Sequence, residues 1–238
     1  MRRRNRHTRW LAVSVPLLGL LLSLLVAPAN AAEPAELMAE RLTACAACHG
    51  DEGRTVGDDY YPAIAGKPAG YLYAQLTSFR EGRRQHTIMA GLLATMSDAY
   101  LGEIALYYAA RRHAPQPPMS GATPEQLALG ERLTVLGDPE RKIPPCQACH
   151  GEQLTGVVPM IPGLRGLPAR YLDAQIGAWK NGVRHAREPD CMGRIARALK
   201  AEEITAISSW LASQPYPEDA APADKLANDL PLDCGVLP

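Results

Sequence analysis

The pentapeptide Cys45-Ala46-Ala47-Cys48-His49 occurs again as Cys146-Gln147-Ala148-Cys149-His150, and each copy is followed by Gly and an acidic residue. Residues i, i+3 and i+4 of a helical turn share one face, so two thiols can reach the vinyl groups of one porphyrin while the imidazole meets its iron. Cys-X-X-Cys-His is the pattern that attaches a c-type haem covalently. The sequence therefore predicts two haem c groups, held by Cys45, Cys48, His49 and by Cys146, Cys149, His150.

Two other interpretations of the paired cysteines are weaker. A single zinc site with four thiolates would have to join pairs that lie 101 residues apart, and it leaves the His after each pair unexplained. A thioredoxin-like dithiol needs a βαβ setting, whereas the surrounding sequence has helical periodicity.

Residues 1–31 have the composition of a secretory signal: five arginines precede a 17-residue apolar run at 10–26, and Ala29-Asn30-Ala31 is a small-residue cleavage site. We expect cleavage and export of the chain. The alternative is an uncleaved anchor, because 17 residues is the lower limit for a helix that spans a bilayer.

The formal net charge of zero depends on this segment, which contains five of the 25 basic residues and no acidic residue. The remaining chain has 20 basic and 25 acidic residues, and haem propionates would add negative charge. Nothing in this balance indicates a nucleic-acid partner.

Two cysteines, Cys191 and Cys234, lie outside the haem motifs. In an exported protein a leftover pair predicts a disulfide, which by loop entropy would stabilise the fold by about 4 kcal/mol. The alternative is a Cys191 thiolate bound to the second iron, because Cys191 is adjacent to Met192.

The chain contains an internal repeat. Residues 61–75 reappear at 161–175, with an offset of 100, and about ten residues rich in Gly and Pro are inserted before Cys146. Apolar periodicity predicts helices at 33–48, 70–84 and 97–111 of the first half and at 170–182 and 201–213 of the second, and Thr123-Pro124 marks another helix start. Because no segment alternates like a strand, we predict an all-α fold.

The repeat also selects the second axial ligands. When Met89 is aligned with Met192, the last helices of the two halves align without a gap, and no other methionine recurs in register. Met96 aligns with Leu199 and Met160 with Tyr60, which favours packing roles for both, and the loop histidines 86 and 185 are out of register. We therefore predict His49 and Met89 on one iron and His150 and Met192 on the other.

Basic residues cluster around both distal loops. The first set is Arg80, Arg83 and Arg84, and the second is Arg184, Arg187, Arg194 and Arg197. Either they form a solvated face or neutralise haem propionates, or they dock an acidic redox partner near each haem edge.

The two haem motifs, the Pro-X-X-X-Gly-X-Pro-X-X-Tyr-Leu segments and the distal methionines together resemble the dihaem cytochrome c4 family over residues 33–213. The resemblance implies a tandem repeat of two class I cytochrome c domains, each with helices around a His/Met-ligated haem. The expected divisions are a signal peptide at 1–31, domain 1 at 32–113, a linker at 114–122, domain 2 at 123–217 and a C-terminal tail packed on domain 2 at 218–238.

The resemblance further implies a periplasmic, loosely membrane-associated carrier of single electrons and not an enzyme. Its expected donor is a quinol-oxidising complex or a dehydrogenase, and its expected acceptor is a terminal oxidase. The competing hypotheses are a dihaem enzyme with one open or Cys-ligated iron, such as a peroxidase or a thiosulfate-oxidising protein, and an electron-transfer subunit of a periplasmic dehydrogenase. The Cys191–Cys234 pair is not part of the family pattern.

Overall fold

The computed structural model describes residues 34–54, 60–112, 117–118, 121–217 and 221–235. The predicted signal peptide and most of the predicted linker lie outside these ranges. Within the described ranges the chain forms ten α-helices: α1 (Pro34–Arg41), α2 (Thr43–His49), α3 (Ala69–Arg80), α4 (Thr87–Leu93), α5 (Asp98–Ala109), α6 (Pro124–Val135), α7 (Gln147–His150), α8 (Ala169–Lys180), α9 (Cys191–Ala198) and α10 (Ala201–Ser213). None of these helices has the length and the apolar composition needed to span a bilayer.

Each half of the chain has its own apolar core. In the first half, α5 packs against α3 around Leu72, Leu101 and Ile104. In the second half, α10 packs against α6 and α8. The α6–α10 crossing depends on Gly130, because a Cβ atom there would collide with the carbonyl oxygen of Ala206.

The helix boundaries differ from the predicted ones in two informative places. The single helix expected at 33–48 is interrupted at Leu42, whose backbone leaves the helical region while its side chain enters the core. Helices α3 and α8 end earlier than predicted because Gly82 and Gly182 adopt positive φ values of 77° and 71°.

One small sheet departs from the expectation that no strand would form. Strand β1 (Gly156–Val157) pairs antiparallel with β2 (Ile161–Pro162). A Cβ at Gly156 would meet the backbone of residues 161–163, so the close approach of the two segments requires glycine. The fold is otherwise helical, as predicted.

The insertion before Cys146 forms a closed loop. Its ends meet where the Cys146 amide donates to the Thr134 carbonyl at 2.9 Å. Arg141, near the tip, forms an ion pair with Glu203 of α10 at 2.8 Å. The loop therefore returns the chain to the last turn of α6, where the second haem motif begins.

Candidate functional site

Each haem motif lines a separate, largely apolar cavity together with one of the predicted distal methionines. The first cavity is lined by Cys45, Cys48, His49 and Met89. The second cavity is lined by Cys146, Cys149, His150 and Met192. Since the two Cys pairs face different cavities, they cannot form one four-thiolate zinc site, and the described residues contain no cluster of His, Cys, Asp and Glu suited to a metal ion.

The two motif histidines are held in the same way. His49 Nδ1 lies 2.9 Å from the carbonyl oxygen of Pro62, and His150 Nδ1 lies 2.8 Å from that of Pro162. A proton on Nδ1 that is donated to this carbonyl leaves Nε2 free as a metal ligand. Burial lowers the pKa of both imidazoles, which favours the neutral form that binds iron.

The distal methionines lie on two short helices with different caps. Helix α4, which carries Met89, is capped at its N-terminus by His86, whose Nδ1 accepts a hydrogen bond from the Met89 amide at 3.4 Å. Helix α9, which carries Met192, is capped at its N-terminus by Asp190, whose Oδ1 accepts a hydrogen bond from the Gly193 amide at 2.9 Å. Both helices place a thioether along the cavity wall, and ligation of iron by these two residues stays a prediction.

Met96 and Met160 lie where packing explains them. Met96 lines the first cavity but also packs against the first core, at the position where the other half has Leu199. Met160 lines the second cavity and rests against Gly70, where a Cβ atom would overlap its sulfur.

The predicted disulfide between Cys191 and Cys234 is present, with the two Cα atoms 5.4 Å apart. Both residues also line the second cavity. Because the Cys191 sulfur is bonded to Cys234, it is not a free thiolate beside the second iron.

Two arginines occupy equivalent positions between the halves. Residues Arg84 and Arg184 form an antiparallel bridge, and each guanidinium stacks on an aromatic ring of its own half, Phe79 or Trp179. Arg184 is only 3% exposed, and burial lowers its pKa to about 10. These two residues therefore belong to the contact between the halves, and the docking role considered for them does not apply.

The remaining arginines of the two basic sets divide between ion pairs and solvent. Arg80 contacts Asp98 at 2.6 Å, and Arg83 contacts Glu81. Three residues of the second set, Arg187, Arg194 and Arg197, are exposed on or next to α9. Of the two basic sets, only these three exposed arginines remain candidates for docking an acidic partner.

A cationic wall separates the two cavities. Lys67 and Arg184 line both cavities, and Arg84 lines the first. Lys67 is buried, which lowers the pKa of its ammonium group, and it aligns with Leu167 in the other half. No carboxylate of the described residues forms an ion pair with any of the three. Two buried cations and one half-buried cation without a carboxylate partner, beside apolar cavities, match the propionates of a haem, so the residues present fit a haem in each cavity.

Three kinds of contact at the site were not anticipated from the sequence: the Pro62 and Pro162 carbonyls, the His86 cap, and the polar side chains between the halves. The sequence did contain a sign of the contact between the halves, because Tyr71 and Gln75 recur as Tyr171 and Gln175 within the repeated segment. A polar residue that is duplicated on a core helix indicates a shared contact. The His86 cap had no such signal, since His185 is out of register with it.

Comparison with known proteins agrees with this geometry. The family model described as Cytochrome c matches residues 32–129 and 145–215. A thiosulfate dehydrogenase electron acceptor from Stutzerimonas stutzeri (strain A1501) is 36% identical over 83% of this chain and 94% of its own length. Cytochrome c4 from Pseudomonas aeruginosa (strain PAO1) is 32% identical over 82% of this chain and 96% of its own.

The fold also matches a solved protein, the thiosulfate dehydrogenase (TsdBA) from Marichromatium purpuratum in its as-isolated form. The TM-score is 0.67 at 32% identity, and the match covers 76% of this chain but only 40% of that one. The relatives matched over nearly their whole length are named as electron carriers. The two cytochrome c regions of this chain, together with its cytochrome c4 relatives, show two covalently bound haem c groups with iron. The chain belongs to the cytochrome c family, as a two-haem electron carrier of the cytochrome c4 type.

Proposed function

We propose that this protein accepts single electrons from a thiosulfate dehydrogenase in the periplasm and passes them toward a terminal oxidase, through two haems ligated by His49 and Met89 and by His150 and Met192. The observation that carries the proposal is the wall shared by the two cavities. Its residues line both of them: Lys67, Tyr71, Gln75, Tyr171, Gln175 and Arg184. Two haems held in such cavities would be neighbours within one chain, which suits a relay.

The chemistry is one-electron transfer, which the haem iron supplies when bound. The residues that would hold each iron are an imidazole, fixed by a proline carbonyl, and the thioether of the methionine in the same cavity. A closed site leaves no position for a substrate and keeps ligand movement small during electron transfer. The apolar lining excludes water and favours the reduced, less charged form.

Thiosulfate dehydrogenase is the favoured donor because proteins similar to this chain are named as its electron acceptor or as the enzyme itself. The relative named as its electron acceptor is more similar to this chain than the cytochrome c4 is. The matched solved chain is itself a thiosulfate dehydrogenase of which this chain corresponds to 40%. A separate carrier would perform the role of that matched part as an independent protein.

Export is part of the proposal. The predicted signal peptide at 1–31, covalent haem attachment and the Cys191–Cys234 disulfide are all suited to an oxidising compartment outside the cytoplasm. Loose attachment to the membrane would place the carrier near a terminal oxidase.

The donor is tested by stopped-flow reduction of the purified, oxidised holoprotein. Thiosulfate with catalytic thiosulfate dehydrogenase should reduce both haems, whereas thiosulfate alone should not. A quinol-oxidising complex supplied with quinol is the comparison donor. Rapid reduction by that complex, combined with none by the dehydrogenase, would replace the proposed donor with a quinol-linked one.

A further inference from the structure

The C-terminal segment 221–235 covers the second cavity. Leu230 and Cys234 are part of its lining. Among the described residues, the first cavity is lined only by the first half and by residues 171–184 of the second, with no contribution from this segment. The two haem sites therefore differ in how they are enclosed.

One end of this segment is anchored beside the second distal methionine. The disulfide joins Cys234 to Cys191, the residue directly before Met192. The Gly235 amide also donates to the carbonyl of Pro189 at 3.0 Å. These two attachments fix the backbone on which Met192 is mounted.

The other end is anchored to the loop that follows the second haem motif. The Ala223 amide donates to the Gly156 carbonyl at 2.9 Å, and the Val158 amide donates to the Ala223 carbonyl at 2.9 Å. Thr155 Oγ1 donates to the Ala221 carbonyl at 3.1 Å. The segment therefore runs from the proximal, histidine side of the second site to its distal, methionine side.

The first half has a different arrangement at the matching position. Ile88 aligns with Cys191, and its side chain is 56% exposed. Helix α4 is fixed at its start by His86, which also contacts Tyr60 at 3.0 Å. Helix α9 has eight residues, too few for a stable isolated helix, so its position depends on tertiary attachments.

We propose that segment 221–235 is a clasp that holds Met192 at the second iron and shields that haem from water, and so raises the electron affinity of the second haem above what its ligands alone would give. The proposal rests on the ligation of the second iron by Met192. A tethered thioether loses less freedom when it binds, and exclusion of water destabilises the more highly charged oxidised form.

The test compares the full holoprotein with three altered forms of it. Cys191→Ser/Cys234→Ser removes the tether and leaves no free thiol. A chain that ends at residue 217 removes the whole clasp. Leu230→Ala keeps the disulfide and removes only apolar cover, so it remains informative if the other two proteins fail to fold. Ile88→Ser is the matched control at the equivalent position of the first half.

Two quantities are measured: the weak thioether–iron absorption band and the two midpoint potentials, assigned to individual haems with Met192→His. In the serine pair and the shortened chain we expect the thioether band to fall to about half, and the electron affinity of the second haem relative to the first to fall at least about tenfold, or 59 mV for one electron. Leu230→Ala should lower the same ratio by a smaller factor with the band intact. Ile88→Ser should leave the second haem unchanged.

Retention of both bands and of both potentials in the serine pair would overturn the positioning role. An unchanged ratio in Leu230→Ala would overturn the shielding role. If the unaltered protein shows only one thioether band and Met192→His does not change it, the ligand assignment fails instead, which is distinguishable from failure of the clasp.

Discussion

Arg84 and Arg184, 100 residues apart in sequence, donate hydrogen bonds to the same two acceptors. Arg84 reaches Oε1 of Gln175 at 2.6 Å and of Gln75 at 3.1 Å, and Arg184 reaches the same atoms at 2.8 and 2.7 Å respectively. Each guanidinium also contacts the Tyr71 or Tyr171 hydroxyl of the opposite half at 3.3 Å. The duplicated sequence thus forms a nearly two-fold contact in which both halves supply the same donors and acceptors.

Replacing Arg184 with Leu should destabilise the holoprotein and lower the haem potentials. The change removes the Arg184 hydrogen bonds to the half-buried oxygens of Gln75 and Gln175, and a hydrogen bond from a charged group contributes about 1.5–3 kcal/mol. It also removes a buried positive charge beside both cavities. The loss of this charge stabilises the oxidised haems, so both midpoint potentials should fall. Urea unfolding followed by haem absorbance and a redox titration measure the two effects. Arg187→Leu, at an exposed position, is the control, and equal stability of the two variants would contradict the assigned role.

The ligand assignment predicts a difference between two methionines that line the same cavity. Met89→Leu should abolish the thioether band of the first haem, because the iron loses its sulfur ligand. Met96→Leu should keep that band, because the other half has Leu199 at this position and the residue packs against the first core. Absorption spectra of the two oxidised variants decide the matter. Loss of the band in Met96→Leu alone would transfer the ligand role to Met96.

Much of the site could be predicted because its chemistry is encoded locally. The haem motifs are contiguous pentapeptides, and the repeat allowed each half to serve as a reference for the other. Helix boundaries were less predictable, because Leu42 leaves helical geometry in favour of burial in the core. The burial of Leu42 depends on contacts with distant residues, and a local sequence pattern does not contain that information.

The contact between the halves could not be predicted from local patterns. Arg84 and Arg184 follow α3 and α8 within basic loops, where exposure is the ordinary expectation. The positive φ values of Gly82 and Gly182 end these helices and turn the chain, after which the loops pair with each other across the two halves. Burial of the two arginines therefore results from long-range pairing.

The ion pairs of the insertion loop should contribute stability that depends on pH. Hydrogen bonds from the Arg141 guanidinium lower the pKa of Glu203 and of Asp138 below their ordinary values of 4.5 and 3.8. A carboxylate with a lowered pKa stabilises the folded state above its ordinary pKa, and this stabilisation is lost as the pH falls through the lowered value. Arg141→Met should therefore reduce the urea midpoint at pH 7, and the difference from the unaltered protein should shrink to less than half at pH 3.

The control for this change is Arg187→Met, which should leave the midpoint almost unchanged at both pH values. A difference between Arg141→Met and the unaltered protein that is the same at pH 7 and pH 3 would mean that the arginine acts through packing of its stem and not through its charge.

The exposed basic residues next to α9 should control encounter with an acidic redox partner. Arg187 precedes helix α9, which carries Met192, and Arg194 lies on that helix; neither forms an ion pair with a described carboxylate. Reversing both charges, in Arg187→Glu/Arg194→Glu, should slow electron exchange with that partner about tenfold at low salt, because attraction between the two proteins becomes repulsion. The difference should disappear as salt screens the charges.

The control is Arg132→Glu/Lys142→Glu, which changes the net charge equally at exposed positions that line neither cavity. Equal slowing of both variants would indicate overall charge repulsion, and unchanged rates in the first would exclude this surface as the docking site.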